Sequence, residues 1–554
     1  MTDSVPTPAV QIVRGEIQPW TDYTGYRAPA GGPTLLALLD DLLPQQAART
    51  LVAGPHGTDV ITLASERSAA VTVLVRSVSD AQDLRAAIPA PHVTVITGAL
   101  DGLVDVSPFD VVLAADGLDR VLGTDSPALN WPRRLAELRR LAAPEALVVV
   151  AVANEFALTG LYDRRPVDAR HGDDEWRPLH DDPDRPTSPT QVTDAFGVPV
   201  ARLYASFDAS GLIHTLLDGG AAAETRPGRP GARLAVAGLG VSAAHTPLLA
   251  PVADGADAAT RAGLLGAVAP GWLAVLGPGG ATHTAYAASG GGVLLADLDE
   301  DGWTLSLRAG HAAGDLPAGL LFDAALLPSR LPDTESAETL LFRLAAAEDV
   351  PGFRAFAARL GAWADPEGLI LLDDLFPEGE GFARGVRGLR VPDAGRDELL
   401  AAAYHRLRDR LVRAHRRHPW PPWTVESDDL VSTWLGMSGA EATAAVLKRG
   451  REIADLVADP APAEPDLRTV LADAETDRVK AVELAGKVFG LERTMRFRDQ
   501  SLRTREQQLR TVRDDLRKLR GSPAMKLDQL SRKVAKIRHP RQFARAVKRR
   551  LRKG

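Results

Sequence analysis

The chain has 554 residues, 45% hydrophobic and 25% charged, a globular balance long enough for several domains. It holds no cysteine, which excludes a disulfide scaffold, a thiolate metal site and a catalytic thiol. The formal charge of −7 hides a split: residues 486–554 carry 23 Lys/Arg against 6 Asp/Glu, net +17, so the rest carries −24. No apolar run approaches the roughly 18 residues of a membrane span. The start, MTDSVPTPAVQ, lacks a basic stretch followed by an apolar core. A cytoplasmic location is expected, peripheral to the inner face of the cell membrane if the basic end binds there.

Residues 1–33 form a Pro- and Gly-rich lead-in with Trp20, Tyr23 and Tyr26 interspersed, expected to pack by its aromatics. Thr34–Leu43 reads as a short amphipathic helix. Apolar runs then alternate with helical patterns. Strands are expected at Arg49–Ala53, Val71–Val75, Val93–Ile96, Phe109–Ala114 and Ala146–Val152, with helices at Thr58–Arg67, Asp80–Ile88 and Trp131–Ala142. Short, continuously apolar strands separated by helices predict a parallel sheet covered on both faces, a doubly wound α/β layer. A polar insert, Asn154–Ser188, interrupts the alternation. Ser188-Pro189 then starts a helix, and Pro199–Ser206 with Leu212–Leu217 reads as a hairpin closing the sheet.

Residues 219–232 read as a linker, and 233–458 as a second, mostly helical α+β domain. It includes strand-like pieces at Trp272–Leu276, Gly292–Leu298 and Trp303–Leu307. Residues 459–466 are a Pro-rich spacer. Across 467–520 a period of seven holds for eight repeats. One seam position carries Leu467, Ala474, Ala481, Val488, Met495, Leu502, Leu509 and Leu516. The position three residues on carries Val470, Asp477, Leu484, Leu491, Arg498, Arg505, Val512 and Leu519. That pattern predicts a coiled coil, through which the chain would form a homodimer or dock a partner protein. Residues 521–554 form a basic amphipathic tail, 12 basic against 1 acidic.

The first strand runs into Ala53-Gly54-Pro55-His56-Gly57-Thr58-Asp59, a glycine turn at the carboxyl end of a strand. The fourth runs into Phe109-Asp-Val-Val-Leu-Ala-Ala-Asp-Gly-Leu-Asp119. With LAELRRLAAPEALVVVAVANE and the terminal hairpin, these segments make residues 34–217 of an expected domain over 34–218 resemble the class I S-adenosylmethionine-dependent methyltransferases. The resemblance implies a Rossmann-like methyltransferase domain with S-adenosylmethionine as cofactor. It would place Gly54, His56 and Gly57 at the methionine end, Ala99 and Leu100 near the adenine, and Asp116 at the reaction centre. His56 and His171 are further candidates for a catalytic base. One position departs from the family pattern. The second strand is followed by Arg76, where the family carries an acid that accepts from the ribose hydroxyls; a guanidinium has donors only. Asp80, four residues on, is the substitute candidate. No metal site is expected.

The insert holds His171, Trp176, His180, Asp181, Asp182 and Asp184, which could supply a base or remain a solvated acidic loop. The basic tail suits an anionic membrane surface better than nucleic acid, because the body is acidic and no base-reading motif is present. The tail is similar to those of bacterial envelope-glycan enzymes. Two functions follow. One is a methyltransferase-like enzyme acting on a sugar, polyol or other polar acceptor in envelope or exported-glycan assembly. The other is a catalytically degenerate recognition or scaffold protein on the same fold.

Overall fold

A computed structural model describes residues 10–537 except 19, 25–26, 167–169, 171–178, 180–181, 210–211, 225–228, 244–245, 247, 250–251, 311–315, 365–366, 414–415, 426 and 458–466. It forms two compact units, 1–468 and 469–554.

The first unit is organised by one sheet. Its strands are β1 (Gln11–Ile12), β2 (Ala47–Ala53), β3 (Ser68–Val75), β4 (Val93–Thr97), β5 (Phe109–Ala114), β6 (Ala142–Ala153), β7 (Val200–Ala209), β8 (Leu212–Asp218), β9 (Gly271–Leu276), β10 (Ala285–Ser289), β11 (Gly292–Asp299) and β12 (Gly302–Ala309). Spatial order is β1-β4-β3-β2-β5-β6-β9-β7-β8-β10-β11-β12, with the two-residue strand Arg330–Leu331 at the far edge. The strands from β1 to β6 are parallel; from β9 onward every pairing is antiparallel. Order reverses between β2 and β5, which makes that gap the switch point of a doubly wound sheet. This is the expected α/β class: a doubly wound parallel segment, helical regions, and a long C-terminal helix.

Side chains alternate between two cores, as a strand's period of two requires. On β2, Leu51 and Ala53 join one cluster, while Val52 joins the other. Helices α1 (Pro33–Leu42), α2 (Thr58–Glu66) and α3 (Val78–Ala87) cover one face with Leu35, Leu38, Ile61 and Leu84. Helix α4 (Trp131–Arg140) covers the other with Trp131, Leu135 and Leu138. Leaving such side chains in water would cost about 1.5–3 kcal/mol each.

The sheet continues beyond the stretch read as a linker, whose described ends are helical. Helix Gly219–Glu224 follows β8 directly, and helix Pro230–Ala243 packs on the sheet through Leu234, Ala235 and Leu239. Strand β9 stands between β6 and β7, antiparallel to both and buried throughout. The hairpin β7–β8 therefore does not close on β6. The order of segments along the chain hid this, because β9 returns 53 residues after β8 ends, at Asp218. A separate helical core lies farther along, around Phe353, Tyr404 and Trp434, joined to the sheet lobe by Arg233, whose guanidinium sits 3.6 Å over the Phe376 ring.

The second unit holds all but the first two residues of the 55-residue helix Leu467–Gly521, and the helix Pro523–Ile537. Among the described residues no helix is long and apolar enough to cross a membrane.

Because β9 fills the gap between β6 and β7, a fragment ending at residue 232 should expose two apolar strand edges. It should aggregate or melt without a cooperative transition by circular dichroism, whereas a fragment of residues 1–468 should melt cooperatively.

Candidate functional site

At the switch point, β2 turns at Gly54, whose φ of +90° suits glycine, and β5 turns at Asp116-Gly117, with Gly117 at φ +93°. The diverging carboxyl ends would leave a crevice there. Two segments of the chain fill it.

The first is the lead-in. It crosses the strand ends one after another. Val13 donates its N–H to Thr97 and Arg14 accepts from the Ala99 N–H at 2.9 Å, at the end of β4. Ile17 donates to the Arg76 carbonyl after β3 at 2.8 Å. Ala30 donates to Pro55 and accepts from the Gly57 N–H, after β2. The Tyr23 hydroxyl donates to the His56 carbonyl at 2.8 Å.

The second is residues 118–123. The Val121 carbonyl accepts from the Leu100 N–H at 2.8 Å. Leu118, Val121 and Leu122 are buried in the same apolar cluster as Ala53, Leu74, Ile96 and Leu100, at the ends of β2, β3 and β4.

Arg76 occupies the centre of this closure. It is 1% exposed. Its Nε and Nη2 each donate to a separate oxygen of Asp22 at 2.8 Å, and Nη1 donates to the Leu122 carbonyl at 3.1 Å. One guanidinium thus joins both closing segments. Asp80 accepts from the Asp22 backbone N–H at 2.7 Å, and burial raises its pKa. Asp116 is held by Arg120, with Nε at 3.0 Å and Nη2 at 2.5 Å. Arg120 also donates to the carbonyls of Asp22, Arg27 and Ala28. Burial pushes the Asp116 carboxyl up, but Arg120 and Arg27 together outweigh it and leave it below the ordinary range. An ionised, doubly paired carboxylate is a poor proton acceptor near neutral pH.

His56 is fully buried and bonded at both nitrogens. The Ala115 N–H donates to Nε2 at 3.0 Å, so the proton sits on Nδ1, which faces the Gly54 carbonyl at 3.1 Å. Burial lowers its pKa. The ring ties the β2 turn to the β5 turn and has no nitrogen left for a substrate.

The sequence-predicted residues therefore converge: Gly54, His56, Gly57, Asp80, Ala99, Leu100 and Asp116 all line one place. They bind each other and the lead-in. S-adenosylmethionine requires an acceptor for its ribose, free amides for its adenine and methionine ends, and room. Here the acceptor position is a cation already paired, the Gly57, Ala99 and Leu100 amides are spent, and apolar side chains occupy the space. The residues in this arrangement do not fit the cofactor. An open groove of about 450 Å3 lies elsewhere, beside the Leu100 turn, lined by Arg14, Asp101, Val104, Asp105, Leu129 and Arg140.

His171, Trp176, His180 and Asp181 lie outside the described residues. Asp182 and Asp184 cap α4: Asp182 accepts from the Trp131 N–H at 2.5 Å, and Asp184 from the Asn130 side-chain amide at 2.6 Å. Asp22, Arg27 and Arg120 are the closing residues that the sequence pattern did not single out; Tyr23 packs as its lead-in was expected to. Arg76 was the available signal, because a cation ending a buried strand demands a carboxylate.

No protein-family model matches the chain, and no curated protein matches it. Solved structures do. The N-methyltransferase NodS from Bradyrhizobium japonicum WM9 is 12% identical, over 30% of this chain and 82% of its own, with a TM-score of 0.20. In complex with S-adenosyl-L-homocysteine the same enzyme aligns at 15% identity over 22% of this chain and 59% of its own, with a TM-score of 0.18. The CcbJ methyltransferase from Streptomyces caelestis is 17% identical over 24% of this chain and 54% of its own, also at 0.18. These likenesses span under a third of the chain; strand order and direction define its fold.

Two outcomes test the closure. Arg76→Met strands the Asp22 carboxylate in a buried site and should cost about 3–5 kcal/mol; pairing it with Asp22→Leu should recover most of that, read from chemical unfolding. Burial also lowers the pKa of His214, to about 4, and of His405. Folded chains keep these rings and His56 neutral, while unfolded ones protonate below about pH 6.5. That stability is present above pH 6.5 and is lost as pH falls toward the folded values. The Tm should drop between pH 7.5 and 5, and His56→Gln should make that drop shallower.

Proposed function

We propose that this chain is a recognition or scaffold protein built on a methyltransferase-like fold that does not take S-adenosylmethionine. The observation that carries the reading is the buried Arg76–Asp22 pair, which puts a self-satisfied cation where a ribose acceptor would be required. Catalytic transfer to a sugar or polyol of the cell envelope requires two segments, 13–32 and 118–123, to leave the crevice together. Their apolar cluster and ion pairs oppose that.

The C-terminal residues give such a scaffold a place to work. Helix Pro523–Ile537 exposes Leu527, Leu530 and Val534 beside Lys526, Arg532 and Lys533, and the sequence after it stays basic. A basic amphipathic helix binds anionic membrane surfaces by combining apolar insertion with charge attraction. The acidic body disfavours nucleic acid as the alternative anion.

Calorimetric titration of the full chain with S-adenosylmethionine and S-adenosylhomocysteine should show no heat of binding up to millimolar ligand. Micromolar binding, abolished by bulky residues at Gly54 and Gly57, would return the protein to the enzymes. Flotation with vesicles containing anionic lipid should carry the full chain upward and leave behind a chain ending at Gly521, with the difference shrinking at high salt.

A further inference from the structure

The 55-residue helix Leu467–Gly521 presents an apolar seam to water. Val488, Leu491, Met495, Leu502 and Leu509 are each more than half exposed. A seam repeating every seven residues calls for another helix of the same repeat. Three charged residues interrupt it, at Asp477, Arg498 and Arg505, and they all fall on the second seam position. Each is followed immediately by a residue of opposite sign: Asp477 by Arg478, Arg498 by Asp499, and Arg505 by Glu506.

That coincidence has a geometric meaning. In a parallel, in-register pair, a side chain at the second seam position enters a hole whose wall includes the partner's next residue. Arg498 then faces the partner's Asp499, Arg505 the partner's Glu506, and Asp477 the partner's Arg478. The flanking positions agree. Residues just before the first seam position meet partner residues five further on. This gives Asp473 with Arg478, Lys487 with Glu492, and Asp515 with Arg520, and no like-charged pair among these flanking positions; the seam charges meet their own copies, which the partner's next residue of opposite sign offsets. The pairs now made within the single helix, Arg478 with Glu475, Lys487 with Glu483 and Arg496 with Glu492, are exposed to water and exchange readily. Two strands suit the charged seam residues better than three, because long arginine side chains can still reach solvent at the edge of a two-stranded seam.

We infer that the helix Leu467–Gly521 joins two copies of this chain in a parallel, in-register coiled coil, with the seam charges specifying both orientation and register. The pair starts its two basic C-terminal stretches from the same end, which makes any anionic surface a bivalent target. This inference rests on the helix alone and stands whether or not the crevice takes a cofactor.

The absence of native cysteine allows a direct test on the full chain. Light scattering should give twice the 58.9 kDa chain mass. Single variants Val488→Cys and Leu509→Cys should each cross-link to themselves on mild oxidation, and Gln507→Cys, on the outer face, should not. Reversing Arg498 and Arg505 to Glu should weaken the dimer at least tenfold, and adding Asp499→Arg and Glu506→Arg should restore it. A monomer at tens of micromolar, a trimer, or a dimer in which neither seam cysteine cross-links to itself would overturn the inference. So would charge reversal without loss, or without rescue.

Discussion

The pairing of Arg76 with Asp22 is the interaction on which the first lobe depends. An arginine at the end of β3 lies between two cores, where an unpaired charge is untenable. Its geometry dictates the surroundings. A guanidinium offers a planar fork that matches one carboxylate on two parallel bonds, which brings the lead-in down onto the strand ends. The remaining nitrogen reaches the Leu122 carbonyl and fixes the segment after β5. Arg120 repeats the arrangement two strands over, after β5, with Asp116 as carboxylate and the lead-in carbonyls as acceptors. The closure is a polar lattice under an apolar cap, and satisfied polar groups make it specific as well as stable.

Much of the fold was legible because its signals are local. Buried parallel strands read as unbroken apolar runs, so β2 through β6 and their helices fall where Val, Leu and Ala cluster. Ser188 and Pro189 mark a helix start that the structure keeps, with Ser188 accepting from the Gln191 N–H. What the pattern could not convey is long-range pairing. Strand β9 looks like any buried strand, and nothing in Gly271–Leu276 says that its neighbours are β6 and β7, far back in the chain. The stretch 219–232 reads as a linker because its glycines and prolines weaken helix propensity, yet helices occupy its described ends and Ala221, Ala222 and Ala232 pack into the sheet's core.

The site was legible in location and not in state. The glycine turn and the turn after FDVVLA do meet at the switch point. Spacing alone cannot tell whether the groups gathered there await a ligand or satisfy each other. The position of the lead-in decides it, a polar segment whose aromatics suggest packing but whose Asp22 looks unremarkable in isolation. The departure at Arg76 was visible from the beginning. Its consequence, that a second residue must come to neutralise it, follows from electrostatics without any family comparison.

The closure differs from a lid resting on an otherwise competent pocket, and the glycines show why. Gly102 lies so near the lead-in that an added Cβ would come within 2.4 Å of the Arg14 carbonyl oxygen, and one at Gly123 within 1.6 Å of the Gly15 carbonyl oxygen. Neither position needs a left-handed backbone, so conformational freedom does not account for them. What they share is backbone pressed against backbone, across segments far apart in sequence. A lid that opens for a ligand tolerates loose contacts, because its closed state must be given up at modest cost. Close approach at two separate glycines, added to two buried arginine–aspartate pairs, puts the closed arrangement at the stable end of the molecule instead. The sheet's carboxyl edge is then a structural joint between lead-in and body.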